Sequence, residues 1–336
     1  MSSGGKALLY CAGGGIGDSL VASVVARALR TRFECVDALT LPGHRETLLR
    51  VPDLDEIYVD EGEERDVAAS LAGRGYAACV VTWATARTAR IPQLAGIPVR
   101  VGQARRLYSH RFTERVTVRS ELGDVTSHWS DILLDFARAL GCDATDRAYR
   151  FVPTPDDETA AHGVLPEPGI ILNPFNAIAS ERGIWPVAGW AAVAQALLER
   201  FDLPVAVSGA PADAPVAKAI VDVVGDAHCS SIAGRLGIGA FGALAARSRA
   251  FVGITTGSMH VAAAVGAPTL GIFPFQSDFP ERWAPLGKRT EIVRASYPCH
   301  KGDTKESCPD YACIANLDVP RVVAGVEALF GRVSPA

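Results

Sequence analysis

The chain has 336 residues, of which 49% are hydrophobic and 21% charged, and its formal net charge is −4. Thirty-three Lys and Arg nearly balance 37 Asp and Glu, which argues against a nucleic-acid binder or a polybasic membrane-surface protein. At this length a single core rarely keeps growing, so two domains of ordinary size are expected.

In chain order, the first half alternates short apolar runs with amphipathic segments. Ala7–Cys11, Cys35–Leu39 and Ala77–Thr82 are predicted strands, separated by predicted helices at Ser19–Arg30 and Val67–Gly73. A strand at Val99–Gly102 and a helix at His128–Leu140 follow, and Pro153-Thr154-Pro155-Asp156-Asp157-Glu158 then reads as a linker. The second half predicts strands at Gly169–Asn173, Val205–Ser208, Ala250–Gly253 and Thr269–Phe273, with helices at Val187–Phe201, Ala214–Val224, Gly239–Arg247 and Ser258–Val265. This βαβ grammar implies α/β architecture with parallel sheets, arranged as two Rossmann-like halves. The domains are drawn at 1–155 and 156–336, with the last helix expected to pack back on the first domain.

The segment Ala250–Ser277 holds no Asp, Glu, Lys or Arg and is long enough to span a bilayer. Its Gly253, Gly257, Gly266, Pro268, Gly271 and Pro274 instead fit strand, loop, helix and strand inside an α/β core. The amino terminus lacks the form of a secretory signal. Of eight cysteines, Cys11, Cys35, Cys79, Cys142 and Cys229 lie singly in apolar segments and read as buried free thiols, pointing to a cytoplasmic protein.

The first turn, Ala12-Gly13-Gly14-Gly15-Ile16-Gly17-Asp18-Ser19-Leu20, is a ligand-facing loop by its glycines, Gly15 and Gly17 included. It fits neither G-x-G-x-x-G nor Walker A. Asp18 has the grammar of a helix N-cap and equally that of an acid–base residue; a phosphate at this helix start would be repelled by it. In the second half, Thr255-Thr256-Gly257-Ser258-Met259-His260 opens a small-residue helix whose free N–H groups and hydroxyls make an anion site, with His260 as a further donor. A plain helix cap explains the same residues. Arg182 in the loop after Asn173 is a candidate phosphate clamp, and Gly209 and Asp213 follow the next strand, where a carboxylate meets a ribose.

Several of these segments, taken together and in order, resemble glycosyltransferase family 9, the ADP-heptose-dependent heptosyltransferases of lipopolysaccharide assembly. They are Gly17-Asp18-Ser19-Leu20, Trp185-Pro186 with Trp190, Ser208-Gly209-Ala210, Gly257-Ser258-Met259-His260-Val261-Ala262-Ala263-Ala264 with Gly266-Ala267-Pro268, and the tail Cys299, Cys308 and Cys313-Ile314. The resemblance implies a GT-B fold, two Rossmann-like domains facing across a cleft, with an acceptor domain first and a donor domain second. It further implies inverting transfer of a heptose or related sugar from an ADP-linked donor to a hydroxyl of a glycan or other acceptor, without metal or cofactor.

On this reading Asp18 is the general base. Arg182, Gly209, Asp213, Thr255, Thr256, Gly257, Ser258 and His260 hold the donor, and Gly15, Gly17, Arg105 and Arg106 meet the acceptor. A lipid-linked acceptor would bring transient association with the inner membrane surface. Two departures stand out: Thr255 occupies a position where the family usually has Asp, and Gly183 one where it commonly has Lys. The tail cysteines lack the spacing of ordinary zinc sites. Two alternatives remain open: a nicotinamide oxidoreductase using Asp37 as ribose acid, and a non-catalytic sugar-nucleotide binder.

Overall fold

A computed structural model of the chain describes residues 4–175, 185–274, 279–295, 312–316 and 318–331, and divides into two units, 1–152 and 153–336. In the first unit the elements run β1 Lys6–Cys11, α1 Ile16–Ala22, α2 Val24–Arg30, β2 Cys35–Thr40, α3 Arg45–Leu48, β3 Ile57–Val59, α4 Glu64–Leu71 and β4 Tyr76–Thr82. They continue with α5 Ala86–Leu94, β5 Val99–Gln103, β6 Glu114–Val116 and α6 Trp129–Arg138. The strands form one parallel sheet in the order β3-β2-β1-β4-β5-β6. Its centre is uniformly apolar because helices cover both faces, as a parallel sheet requires: Leu8, Tyr10, Leu39, Cys79 and Val81 belong to one buried cluster.

The helix expected as one piece at Ser19–Arg30 breaks at Ser23, which ends α1 and begins α2. Ser23 Oγ donates to the Leu20 carbonyl at 2.6 Å, and such back-bonding by a serine bends a helix.

The two units divide between Val152 and Pro153, at the start of the segment read as a linker, but most of that segment is helical. Thr154 caps α7, Pro155–Val164: its Oγ1 accepts from the Asp157 amide at 3.2 Å, while Asp157 Oδ2 accepts from the Thr154 amide at 2.9 Å. Proline suits the first helical turn and acidic residues suit its positive end, so the run that read as a chain breaker is a helix start.

The second unit continues with β7 Ile170–Asn173, α8 Val187–Phe201, β8 Val205–Val207, α9 Ala214–Val224, β9 Cys229–Ser231, α10 Ile238–Arg247, β10 Ala250–Ile254 and α11 Gly257–Ala264. Then follow β11 Thr269–Phe273, α12 Pro280–Trp283, β12 Thr290–Arg294, α13 Ala312–Ala315 and α14 Val319–Gly331. The second sheet is parallel in the order β12-β11-β10-β7-β8-β9. The uncharged stretch from Ala250 becomes β10, α11 and β11, buried in this sheet and its cover. Among the described residues, no helix is long and apolar enough to cross a membrane.

The sequence reading sends the last helix back to the first domain. Its buried face, Val322, Val326 and Leu329, is taken up within its own unit by β10, β11, β12 and α8. Gly325 permits that approach, since a Cβ there would lie 2.8 Å from Leu270 Cδ1 on β11.

Each unit is doubly wound, so strand order reverses once in each: between β1 and β4 in the first, between β10 and β7 in the second. Open α/β sheets bind ligands beyond the carboxyl ends of the strands at this switch point. The fold is GT-B, α/β throughout.

Candidate active site

The loop after β1 lies at the first switch point. Gly14 takes φ +68°, a conformation that disfavours any residue with a Cβ, and a Cβ there would stand 2.3 Å from Asp18 Oδ2. Gly15, not Asp18, is the N-cap of α1. Asp18 sits three positions in, and its Oδ2 accepts the Gly15 amide at 2.6 Å, the carboxylate half of a capping box whose other half a glycine cannot supply. The carboxylate is partly exposed and has a fixed direction. Of the two glycines expected to face an acceptor, Gly15 is exposed and Gly17 is buried within α1.

Next to Asp18, Ser19 Oγ lies 2.9 Å from His44 Nδ1. His44 is buried; burial lowers its imidazole pKa, and the Asp18 charge opposes that shift. Behind the loop, Tyr10 donates to Asp60 Oδ2 at 2.5 Å, and Arg87 Nη2, in the first turn of α5, donates to Asp60 Oδ1 at 2.5 Å. Burial together with Asp60 raises the Tyr10 phenol above its usual range, so it serves as a neutral donor. None of His44, Tyr10, Asp60 and Arg87 was singled out in the sequence. The available signal was position, since His44 follows β2, which flanks β1, and Asp60 follows β3, one strand further out.

Arg105 is exposed, whereas Arg106 pairs with Glu121 at 2.6 Å. Arg100, in the same basic run, is spent on the backbone carbonyls of Ile97 and Arg111. His128 is the N-cap of α6, its Nδ1 accepting from the Ser130 amide at 3.0 Å, in keeping with an ordinary helix-start residue.

Asp37 lies inside β2, 1% exposed, and accepts from the Tyr76 hydroxyl at 2.6 Å and the Glu56 amide at 3.2 Å. A ribose-binding acid belongs at a strand's carboxyl end, so the nicotinamide reading loses its acid. Among the described residues Cys35, Asp37 and Asp55 have metal-ligand spacing, but Cys35 donates to Asp37 at 3.3 Å and Asp55 is held by Arg30 at 2.6 Å. Burial, reinforced by the two carboxylates, pushes the Cys35 thiol up to about 12, which keeps it protonated and a poor metal ligand. Cys11, Cys79, Cys142 and Cys229 are buried free thiols as expected, and Cys35 is partly exposed.

At the second switch point, β10 runs into α11. Thr256 is the N-cap, yet no side chain caps this helix; Thr256 Oγ1 and Ser258 Oγ lie 2.8 Å apart beside it. Among the described residues the helix start thus combines amide donors that no side chain caps with two hydroxyls, the composition of an anion site. Thr255 is partly exposed, but its amide already donates to the Ile272 carbonyl at 3.0 Å. His260 is 3% exposed with its ring 6.4 Å from that of Trp283, so it lies inside the unit rather than on the helix surface.

Across the switch, Asn173 at the end of β7 donates to Ser208 Oγ at 3.1 Å, and Gly209 packs so tightly on Phe175 that a Cβ would meet its ring at 2.7 Å. Asp213 Oδ2 accepts the Ala210 amide at 2.8 Å and closes its own loop, leaving one carboxylate oxygen for other partners. The Trp185-Pro186…Trp190 motif is a packing motif: the two indoles meet edge-on at 5.2 Å in the core. Arg182, Gly183, Cys299, His300 and Cys308 lie outside the described residues, and Cys313 is buried.

Comparison with known proteins accords with this geometry. The model of glycosyltransferase family 9 (heptosyltransferase) matches residues 65–311. A family 9 glycosyl transferase from Veillonella parvula superposes with a TM-score of 0.83 at 16% identity, covering 97% of each chain. The E. coli ADP-heptose lps heptosyltransferase II gives 0.78 at 20% identity, over 97% of this chain and 99% of that one. The E. coli heptosyltransferase WaaC with ADP gives 0.72 at 16%, over 96% and 99%. No curated protein matches the chain in sequence.

Proposed function

Because the chain belongs to glycosyltransferase family 9, the heptosyltransferases, we propose that it moves a heptose or related sugar from an ADP-linked donor to an acceptor hydroxyl, with Asp18 as general base. The observation that carries this reading is the Asp18 carboxylate at the first switch point, partly exposed and aimed by the Gly15 amide. A carboxylate so placed takes the proton of an acceptor hydroxyl as its oxygen attacks the anomeric carbon, the attack coming opposite the departing diphosphate and inverting that centre.

The diphosphate belongs at the opening of α11, where the amides of Gly257 and Ser258 and the hydroxyls of Thr256 and Ser258 meet the charge that grows on the leaving group. Thr255 lines the same turn, Gly209 seats the backbone after β8 against Phe175 and so shapes the loop that meets the donor, and the second oxygen of Asp213 suits a ribose hydroxyl. Arg182 is retained as the cationic clamp. His260, being buried, acts by setting the α11 turn rather than by touching phosphate. On the first unit Gly15 and the exposed Arg105 remain acceptor contacts, while Gly17 and the ion-paired Arg106 support the loops that carry them. The helix dipole and donors supply the stabilisation, so no metal or cofactor enters the scheme.

That E. coli WaaC was solved with ADP and with ADP-2-deoxy-2-fluoro heptose supports this choice of donor. The acceptor is a glycan or another hydroxyl compound; a lipid-linked one would bring the protein from the cytoplasm to the inner face of the membrane. Calorimetry with ADP and ADP-heptose, beside UDP and GDP, tests the donor. Micromolar binding of the adenine nucleotides is expected. Binding of another nucleotide in their place removes the donor assignment.

A further inference from the structure

Trp83 is the first residue after β4, so it stands at the first switch point beside the Asp18 loop. Its φ is +48°, a left-handed conformation that a bulky L-residue adopts only at a cost and that persists where the surroundings enforce it. Helix α5 does not demand it, because Thr85 caps that helix in extended conformation. Gly13 makes room for it: a Cβ on Gly13 would stand 2.6 Å from Trp83 Cβ, so the glycine loop and the tryptophan pack directly on each other. The next glycine, Gly14, fits Asp18 in the same manner.

Facing Trp83 is Trp129, the first residue of α6, with ring centroids 6.1 Å apart and planes inclined at 46°. Both indoles are partly exposed, unlike Trp185 and Trp190, which are buried in the second unit's core. The pair forms a partly exposed aromatic corner packed on the glycine loop that carries Asp18. Arg87, in the first turn of α5, is committed to Asp60, and the Asp18 charge disfavours an anionic group close by. The ligand that fits is neutral there and has one apolar face: a pyranose ring, whose axial C–H groups pack on an indole face while its hydroxyls point to polar groups.

We propose that Trp83 and Trp129 form a stacking platform for the acceptor's terminal sugar ring, presenting one of its hydroxyls to Asp18. The proposal rests on the transferase reading above and narrows the acceptor to a carbohydrate.

The test uses the full-length protein with Trp83→Gly, Trp129→Ala and Trp129→Phe. Glycine suits a left-handed φ, so Trp83→Gly removes the ring without adding strain. Two readouts are taken: quenching of protein fluorescence by the deacylated oligosaccharide of heptose-deficient lipopolysaccharide, and the Kd of ADP by calorimetry. The platform predicts that the oligosaccharide quenches the wild type, that Trp83→Gly and Trp129→Ala each weaken its binding roughly threefold to tenfold, that Trp129→Phe retains most of it, and that ADP binding is unchanged in all. Where transfer to the oligosaccharide is measurable, the loss falls on acceptor KM.

Absence of quenching in the wild type, or equal oligosaccharide affinity in wild type and both ring-deleted variants, overturns the platform. Loss of ADP affinity in Trp83→Gly overturns it in favour of a nucleobase-stacking role. Failure of the wild type to bind ADP at all overturns the transferase reading instead, and the fluorescence result separates that case.

Discussion

Replacing Gly14 with Ala tests whether the Asp18 loop is built as described. Two costs are superimposed. Alanine at φ +68° pays for a left-handed backbone, about 1 kcal/mol. The new Cβ would also stand 2.3 Å from Asp18 Oδ2, so the carboxylate must swing away and give up its 2.6 Å bond from the Gly15 amide, a further loss of about 1–2 kcal/mol. Gly75 provides the control, since its φ is +78° and a Cβ there meets nothing within 4 Å, leaving only the first cost. For a unit of this size each kcal/mol lowers Tm by about 2–4 °C. Calorimetric scans should therefore show a fall of roughly 2–4 °C for Gly75→Ala and roughly 5–10 °C for Gly14→Ala. With ADP-heptose as donor, the control should keep its turnover and Gly14→Ala should lose about a hundredfold, the scale of a misplaced catalytic group. Equal melting shifts and equal turnover in the two variants would refute the coupling of Gly14 to Asp18.

Two further outcomes follow from the same geometry. His44 is held neutral by burial, so its folded pKa lies below the ordinary value of 6.5; the stability it contributes is present above pH 6.5 and is lost as pH falls below it. Urea titrations from pH 8 to pH 5 should show a shallower loss of stability in His44→Gln than in the wild type, and parallel curves would remove His44 as the titrating group. Ser258→Asp places a carboxylate in the first turn of α11, where the helix dipole favours it but a diphosphate does not. Calorimetry should show ADP affinity reduced by more than about tenfold, with Tm unchanged or raised; retained affinity would move the diphosphate elsewhere.

The central strands could be read because a parallel sheet covered on both faces demands unbroken apolar runs such as Leu8–Cys11 and Ala250–Ile254. Edge strands carry no such demand. Ile57–Val59, Glu114–Val116, Cys229–Ser231 and Thr290–Arg294 are short or polar, and only the neighbouring strand makes them visible. Helix α5 escaped because Pro92 and its arginines conceal the period, and α7 because its capping box was taken for a linker.

Asp18 was singled out in the sequence by its glycine-rich setting, but its place as the third helical residue, bonded back to Gly15, was not legible, since cap and capping-box carboxylates differ only in where the backbone turns. His44, Asp60, Trp83 and Trp129 come from segments up to about a hundred residues from the glycine loop. Only the strand order β3-β2-β1-β4 makes the first three neighbours of that loop. In the second unit, the start of α11 falls within one residue of the expected helix, while the burial of His260 was not foreseen, because helical position alone does not tell which face meets the sheet.

The account depends most on Asp18. Asparagine has nearly the same shape, and its side-chain oxygen still accepts the Gly15 amide, so Asp18→Asn preserves the loop while removing the base. Measured with ADP-heptose and a glycan acceptor, kcat should fall by at least about a hundredfold, while the ADP Kd changes by less than about twofold. Undiminished turnover, or a loss of turnover matched by a loss of ADP binding, would contradict Asp18 as the general base.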